Sequence, residues 1–251
     1  MKSKPPKRKR LDLLLVDRGL AESATKAQAL ILAGEVFIDE IRANKAGAPV
    51  PQDARIAVTS RTQKYASRGG LKLEGALADF GLNPASFVCL DIGSSTGGFT
   101  DCLLQKGASR VYAVDVNVDQ IAWKLHQDNR VVRIERNARE LRRQDIPEPV
   151  DLVVVDVSFI SATKVLPPAA AIATPGANLL VLVKPQFEQP KEDVGAGGIV
   201  NDPALHEKAV EKVRVAAMAI GLEILGFRPS HLPGAEGNQE YFLHARKKPL
   251  E

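Results

Sequence analysis

Short apolar runs recur along the later two thirds of the chain: Phe87-Val-Cys-Leu, Val111-Tyr-Ala-Val, Val131-Val-Arg-Ile, Leu152-Val-Val-Val, Leu179-Leu-Val-Leu-Val and, less cleanly, Glu223-Ile-Leu-Gly-Phe and Tyr241-Phe-Leu. A run that is apolar at consecutive positions has no polar face to offer water, so it reads as a strand covered on both sides. Helical-length stretches between such strands make the sheet parallel. The pattern predicts a doubly wound α/β domain of about seven strands.

Before residue 61 the pattern is different. Leu11 to Leu20 reads as a short helix stopped at Gly19. Ser23 is placed to cap a second helix over 24–33, with Ala27, Ala29, Leu30 and Leu32 on one face and Gly34 as its stop. Val36-Phe-Ile then turns to strand, and short strands continue through Ile56-Ala-Val. The expected organisation is a basic disordered arm over 1–10, a small α+β module over 11–60, a polar linker over 61–71 and the α/β domain over 72–251.

The chain has 251 residues, 45% hydrophobic and 25% charged. That profile is globular and excludes a collagen-like, low-complexity or disulfide-stapled protein. Lys2, Lys4, Lys7, Arg8, Lys9 and Arg10 are basic and none of the first ten residues is acidic, so the net charge of +4 becomes −2 for the remainder. Such a tail suits a polyanion, through counterion release, or serves as a solubilising extension. Cys89 and Cys102 form no C-x-x-C, which points to a reducing, cytoplasmic setting. Asp12, Asp17 and Arg18 interrupt Leu11 to Leu20, and no run approaches the ~20 apolar residues of a membrane span, so neither secretion nor membrane insertion is expected. His126, His206, His231 and His244 lack metal-ligand spacing, and no metal is expected.

Candidate chemistry gathers where strands end. Asp91-Ile-Gly-Ser-Ser-Thr-Gly-Gly-Phe-Thr-Asp101 follows the first apolar run and opens into a helix. Backbone N–H groups of Gly93, Ser94, Ser95, Thr96, Gly97, Gly98 and Phe99 would make a polar cradle. The loop does not match G-x-G-x-x-G, the spacing for a dinucleotide pyrophosphate. Asp115, ending the second run, would accept both hydroxyls of a ribose or cap the next helix. Asn137 would approach an adenine edge or act as a cap. Adenosine joined to an amino-acid end is S-adenosylmethionine. Asp156 and Lys184 end two further runs, and open α/β sheets bind ligands beyond the carboxyl ends of their strands. Asp91, Asp115, Asp156 and Lys184 should therefore face one crevice.

Ser67-Arg-Gly-Gly-Leu-Lys-Leu, the Asp91–Asp101 loop, Asp156-Val-Ser-Phe-Ile, Val183-Lys-Pro-Gln-Phe-Glu, Gly195-Ala-Gly-Gly-Ile-Val and Gly237-Asn-Gln-Glu-Tyr-Phe together resemble the TlyA family, often labelled hemolysin A. The resemblance implies a Rossmann-like class I methyltransferase domain of the FtsJ-like kind behind an S4-type RNA-binding domain. It implies a tetrad of Lys72, Asp156, Lys184 and Glu240, and cytidine 2′-hydroxyls of small- and large-subunit ribosomal RNA as substrate. A 2′-hydroxyl is a very weak acid, so the chemistry asks for alignment and proton removal. Lys184 is the candidate proton acceptor, a role open to its neutral amine, with Asp156 and Glu240 orienting the ammonium groups.

The same resemblance makes Lys7, Arg8, Lys9, Arg10, Lys26, Arg42 and Lys45 the expected RNA-facing groups. Two departures weaken that surface: Ala24 stands where the family has a basic residue, and Asp39-Glu40 where it has Asn-Gly. Arg130, Arg133, Arg136, Arg139, Arg142 and Arg143 read as a solvated face unless the last three reach the crevice. Tyr65 would be buried or would stack on a base. Competing classes are a non-catalytic ribosome-binding protein with a relict pocket and, from the hemolysin label, a membrane-active toxin, for which nothing is amphipathic or apolar enough.

Overall fold

The computed structural model describes residues 8–21, 23–58 and 64–249, and Lys7 lies outside them. The chain forms two units, Met1–Lys64 and Tyr65–Glu251. In the first, β1 (Arg8–Arg10) runs directly into α1 (Leu11–Asp17). Then come α2 (Ala24–Leu32), β2 (Val36–Ile38), β3 (Ile41–Arg42), β4 (Pro49–Pro51) and β5 (Ile56–Val58). Residues 8–10, expected as disordered arm, instead pair antiparallel with β4, Arg8 opposite Pro51 and Arg10 opposite Pro49. The Ser23 side chain caps α2 by accepting from the Lys26 N–H at 3.2 Å. Leu11, Leu14 and Leu15 from α1 meet Ala27 and Ile31 from α2 and Val36 and Val50 from the strands in one core. Asp39 and Glu40 close the β2–β3 hairpin with φ of 47° and 70°. That is the left-handed turn geometry for which Asn-Gly is the usual solution.

The second unit opens with α3 (Gly69–Asp79), which begins inside the stretch expected as linker. There follow β6 (Val88–Ile92), α4 (Gly98–Gln105), β7 (Arg110–Asp115), α5 (Trp123–His126), β8 (Val131–Glu135), β9 (Leu152–Val155) and α6 (Leu166–Ile172). The unit continues with β10 (Asn178–Val183), α7 (Pro185–Glu188), α8 (Pro203–Ala219), β11 (Leu222–Pro229) and β12 (Tyr241–Lys247). The sheet order is β11-β12-β10-β9-β6-β7-β8. Side-chain alternation explains the all-apolar strands. Leu90, Tyr112, Val153 and Val181 face a core with Leu166 and Ala169 of α6 and Val213 of α8. Their neighbours Cys89, Val111, Val154 and Leu180 face a second core with Leu73 and Leu77 of α3 and Leu103 of α4. Each of these four strands, β6, β7, β9 and β10, thus serves two cores, and charged positions are confined to their ends.

The sheet is not parallel throughout, as the apolar runs alone implied. β12 runs antiparallel to both β10 and β11. Nothing but the short segment 230–240 joins β11 to β12, too little for the crossover a parallel pair needs. Chain order moves from β6 outward to β7 and β8 and then returns to β9 on the other side of β6. The reversal leaves a switch point between β6 and β9 where the following loops separate. No helix among the described residues is long and apolar enough to cross a membrane.

Candidate active site

At the switch point Asp91, on β6, is fully buried. Its Oδ2 accepts a 2.6 Å hydrogen bond from the Thr100 hydroxyl on α4, while Oδ1 is buried with no hydrogen-bond partner. Burial pushes this carboxyl up to about 7, the Thr100 bond opposes the rise, and the charges of Asp156 and Asp115 add to it. The Ser94 hydroxyl is likewise buried without a partner.

Gly93 has φ of 86°, and a Cβ there would lie 2.2 Å from the Asp156 carbonyl oxygen. Only glycine lets the loop after β6 pass so close to the loop after β9. A cleft of about 430 Å³ opens beside this crossing, lined among others by Gly93, Ser95, Asp115, Asn137, Asp156 and Phe159. Asp115 Oδ2 accepts from the Ser95 N–H at 2.9 Å, and its Oδ1 accepts from the Asn117 N–H at 3.1 Å. The carboxylate therefore braces the glycine loop while still edging the cleft. Asn137 both borders the cleft and caps the next turn, accepting from the Arg139 N–H at 3.1 Å.

Part of the expected cradle turns inward. A Cβ on Gly97 would strike Leu125, and one on Gly98 would strike the Ser67 hydroxyl. Phe99 is 3% exposed and stacks on Phe242 at 6.1 Å. These three positions hold α4 against its neighbours rather than lining the cleft, and the Thr96 carbonyl is engaged by the Ala122 N–H. The motif looks continuous in sequence, but the turn sends Gly93 and Ser95 to the cleft and Gly97, Gly98 and Phe99 to the core.

The four tetrad candidates form two ion pairs. Lys184 Nζ lies 2.6 Å from Asp156 Oδ1 and donates to the Ser158 hydroxyl at 2.9 Å. Lys72 Nζ lies 2.5 Å from Glu240 Oε2, with the two residues 8% and 2% exposed. Strand register brings them to one end of the sheet. Val183 pairs with Tyr241, so Lys184, which follows the one, and Glu240, which precedes the other, leave the same edge. Lys72 reaches Glu240 from the first turn of α3.

Two residues next to the pairs escaped notice in the sequence. Phe159 is 88% exposed with φ of 64°, and its ring lies 5.3 Å from that of Phe187. Ser158 anchors the Lys184 amine. Both sit inside the quoted Asp156 string, but nothing in spacing distinguishes an exposed strained aromatic from a buried one.

The basic groups are less free than their sequence density implies. Arg10 holds the buried Asp12 through two bonds, 3.1 and 2.7 Å, and that contact first of all keeps the Asp12 carboxyl low, at about 2. Lys9 pairs with Asp17. Arg42 donates to the Ala33 carbonyl at 3.2 Å, while Lys26 and Lys45 are exposed. Arg130 pairs with Asp128 and Arg136 with Asp145. Arg139 and Arg136 border the cleft; Arg143 folds back on the Ile146 carbonyl. Tyr65 is buried at 2% exposure. Among the described residues no cluster of His, Cys, Asp and Glu has the makings of a metal site.

Residues 65–247 match the FtsJ-like methyltransferase model and residues 9–56 the S4 domain model. The chain is 46% identical over 242 residues to the 16S/23S rRNA (cytidine-2′-O)-methyltransferase TlyA of Mycobacterium tuberculosis, covering 96% of this chain and 90% of that protein. It is 41% identical to hemolysin A of Brachyspira hyodysenteriae over 94% and 98% of the two chains. A solved chain from Streptococcus thermophilus that carries the hemolysin label superposes with a TM-score of 0.75 at 39% identity, covering 97% of this chain and 90% of that one. The N-methyltransferase NodS of Bradyrhizobium japonicum, solved with S-adenosyl-L-homocysteine, shares the fold at a TM-score of 0.51 and 14% identity, over 72% and 85% of the chains. The chain belongs to the FtsJ-like methyltransferase family, among its S4-bearing TlyA and hemolysin A members.

Proposed function

We propose that this protein methylates the ribose 2′-hydroxyl of a cytidine in 16S or 23S ribosomal RNA, with S-adenosylmethionine as donor. The observation that carries the reading is the pairing of Lys184 with Asp156 and of Lys72 with Glu240 at the end of the sheet where the glycine loop opens. The relative from Mycobacterium tuberculosis is named for this reaction.

The residues present fit the donor. Asp91 Oδ1 and the Ser94 hydroxyl are buried without partners, and a polar group left so is costly unless a ligand meets it. Asp91, Gly93, Ser94, Ser95, Asp115, Asn137 and Asp156 would hold it, with Thr96, Gly97, Gly98 and Phe99 supporting the loop from behind. When bound, S-adenosylmethionine supplies a methyl group already activated by the sulfonium charge.

The remaining work falls to the chain itself. Asp156 and Ser158 hold the Lys184 amine at one point, where its neutral form takes the 2′-hydroxyl proton. Lys72, kept in place by buried Glu240, supplies a fixed positive charge toward the developing alkoxide. Phe159 offers an exposed ring on which an unstacked base can lie. The unit that matches the S4 domain carries exposed Lys26, Arg42 and Lys45 for RNA phosphates.

The test is incubation with methyl-labelled donor and separated, unmodified ribosomal subunits, followed by mapping of the labelled nucleotide. Label in a cytidine ribose is the expected result. Lys184→Met should lower transfer at least about a hundredfold with donor binding intact; full turnover in that variant removes Lys184 from the role of base.

A further inference from the structure

Glu188 ends α7 four residues after Lys184, and it is 3% exposed. Its carboxylate touches none of the tetrad. Oε1 accepts from the Ala162 N–H at 2.6 Å and Oε2 from the Ser161 hydroxyl at 2.5 Å. Lys212 on α8 stands 3.2 Å from Oε2 and also donates to the Glu188 carbonyl at 2.6 Å. A buried carboxylate with this many donors is stable in place, and removing it strands the donors instead.

Those bonds join two segments that together carry the Lys184 pair. The loop after β9 holds Asp156, Ser158 and Phe159 and ends at Ser161 and Ala162. The other segment is Lys184 with the single turn of α7. They meet at three places: Lys184 with Asp156 and Ser158, the Phe159 ring with the Phe187 ring, and Glu188 with Ser161 and Ala162. Between the first and last lies Phe159 at φ 64°. An aromatic residue held there is strained, and such a conformation persists only where its surroundings over-determine it. Phe159 is 88% exposed and packs only one face, against the Phe187 ring, so most of that constraint has to come from the bonds at the two ends of the loop.

We propose that Glu188 is a positioning residue for the reaction. It anchors the far end of the loop and so keeps Asp156 and Ser158 on the Lys184 amine against the loop's tendency to relax at Phe159. The inference rests on the methyl transfer proposed above.

The experiment compares Glu188→Ala, Glu188→Gln and Ser161→Ala with the unmodified full-length protein in methyl transfer to ribosomal subunits, with donor affinity measured separately by calorimetry. An error of about 1 Å in a reacting group costs about a hundredfold, so Glu188→Ala should lower kcat about 30- to 100-fold. KM for RNA and donor Kd should stay within about threefold, since no atom of Glu188 borders the cleft. Glu188→Gln keeps an acceptor for the Ala162 N–H and should recover to within about fivefold of the unmodified rate; Ser161→Ala, losing one of the anchoring bonds, should fall about fivefold. A folded Glu188→Ala protein with kcat within about twofold overturns the proposal, as does a loss spread equally over kcat, KM and donor Kd. If Glu188→Ala does not fold, an unchanged kcat in Ser161→Ala is the overturning result. Failure of the unmodified protein to label any ribosomal RNA sinks the parent reading instead, and is seen before any variant is made.

Discussion

Replacing Asp91 by Asn tests the electrostatics of the buried carboxyl near the end of β6, beside the glycine loop. Burial raises this carboxyl from 3.8 to about 7, so its ionised form costs the folded protein on the order of 4 kcal/mol at about 1.4 kcal/mol per tenfold change in proton affinity. Because the folded-state value is the higher one, stability from this group is complete below pH 3.8 and is lost as pH rises through 7. Between pH 6 and pH 8 the remaining loss is on the order of 1 kcal/mol, and the Asn variant, nearly isosteric and never charged, should not show it. Urea unfolding at the two pH values, followed through Trp123, reads this directly. That residue is the single tryptophan and stacks on His126 at 5.9 Å, so unfolding of its unit changes its emission. A donor carrying an ammonium group should prefer the ionised carboxylate. Donor affinity of the unmodified protein should therefore rise about fivefold from pH 6 to pH 7, with the variant flat. Parallel pH dependence of unmodified and variant proteins in both measurements would refute the assignment of Asp91 as a buried titrating group facing the donor.

Two further outcomes bear on the first unit. Glu40→Gly should stabilise it by about 1 kcal/mol in denaturant unfolding, because a left-handed conformation at φ 70° is strained for Glu and free for Gly; a loss of stability would mean that the turn is not formed as described. Neutralising Lys26, Arg42 and Lys45 together should reduce the salt dependence of RNA binding, log Kd against log salt, by a slope of about 2, near 0.7 for each phosphate contact on single-stranded RNA. An unaltered slope would remove these three from the RNA surface.

Much of the architecture was legible in the chain because it depends on local burial. Runs such as Leu152-Val-Val-Val and Leu179-Leu-Val-Leu-Val mark strands serving two cores, and all seven apolar runs became strands of one sheet. Charged residues next to such runs mark strand ends, which is why Asp91, Asp115, Asp156 and Lys184 were found together as candidates. Ser23 before an apolar-periodic stretch marked a helix start, and its hydroxyl caps α2. The direction of β12 was not legible, since an apolar run looks the same whichever way its neighbour runs.

The tertiary structure decided the partners of those polar groups that pair across the fold. Lys72 and Glu240 are 168 residues apart, and only the docking of α3 beside β12 makes them a pair. Arg10 carries the same charge as the other basic residues of its segment, but pairing with β4 places residues 8–10 in a strand, opposite Pro49 to Pro51, where a free arm was expected. Gly97, Gly98 and Phe99 belong to a loop whose first residues face the cleft, yet backbone dihedrals send these three inward. Periodicity records how a residue relates to its neighbours in the chain; ion pairs, hydrogen bonds and backbone strain record what folding has brought beside it, and that information is non-local.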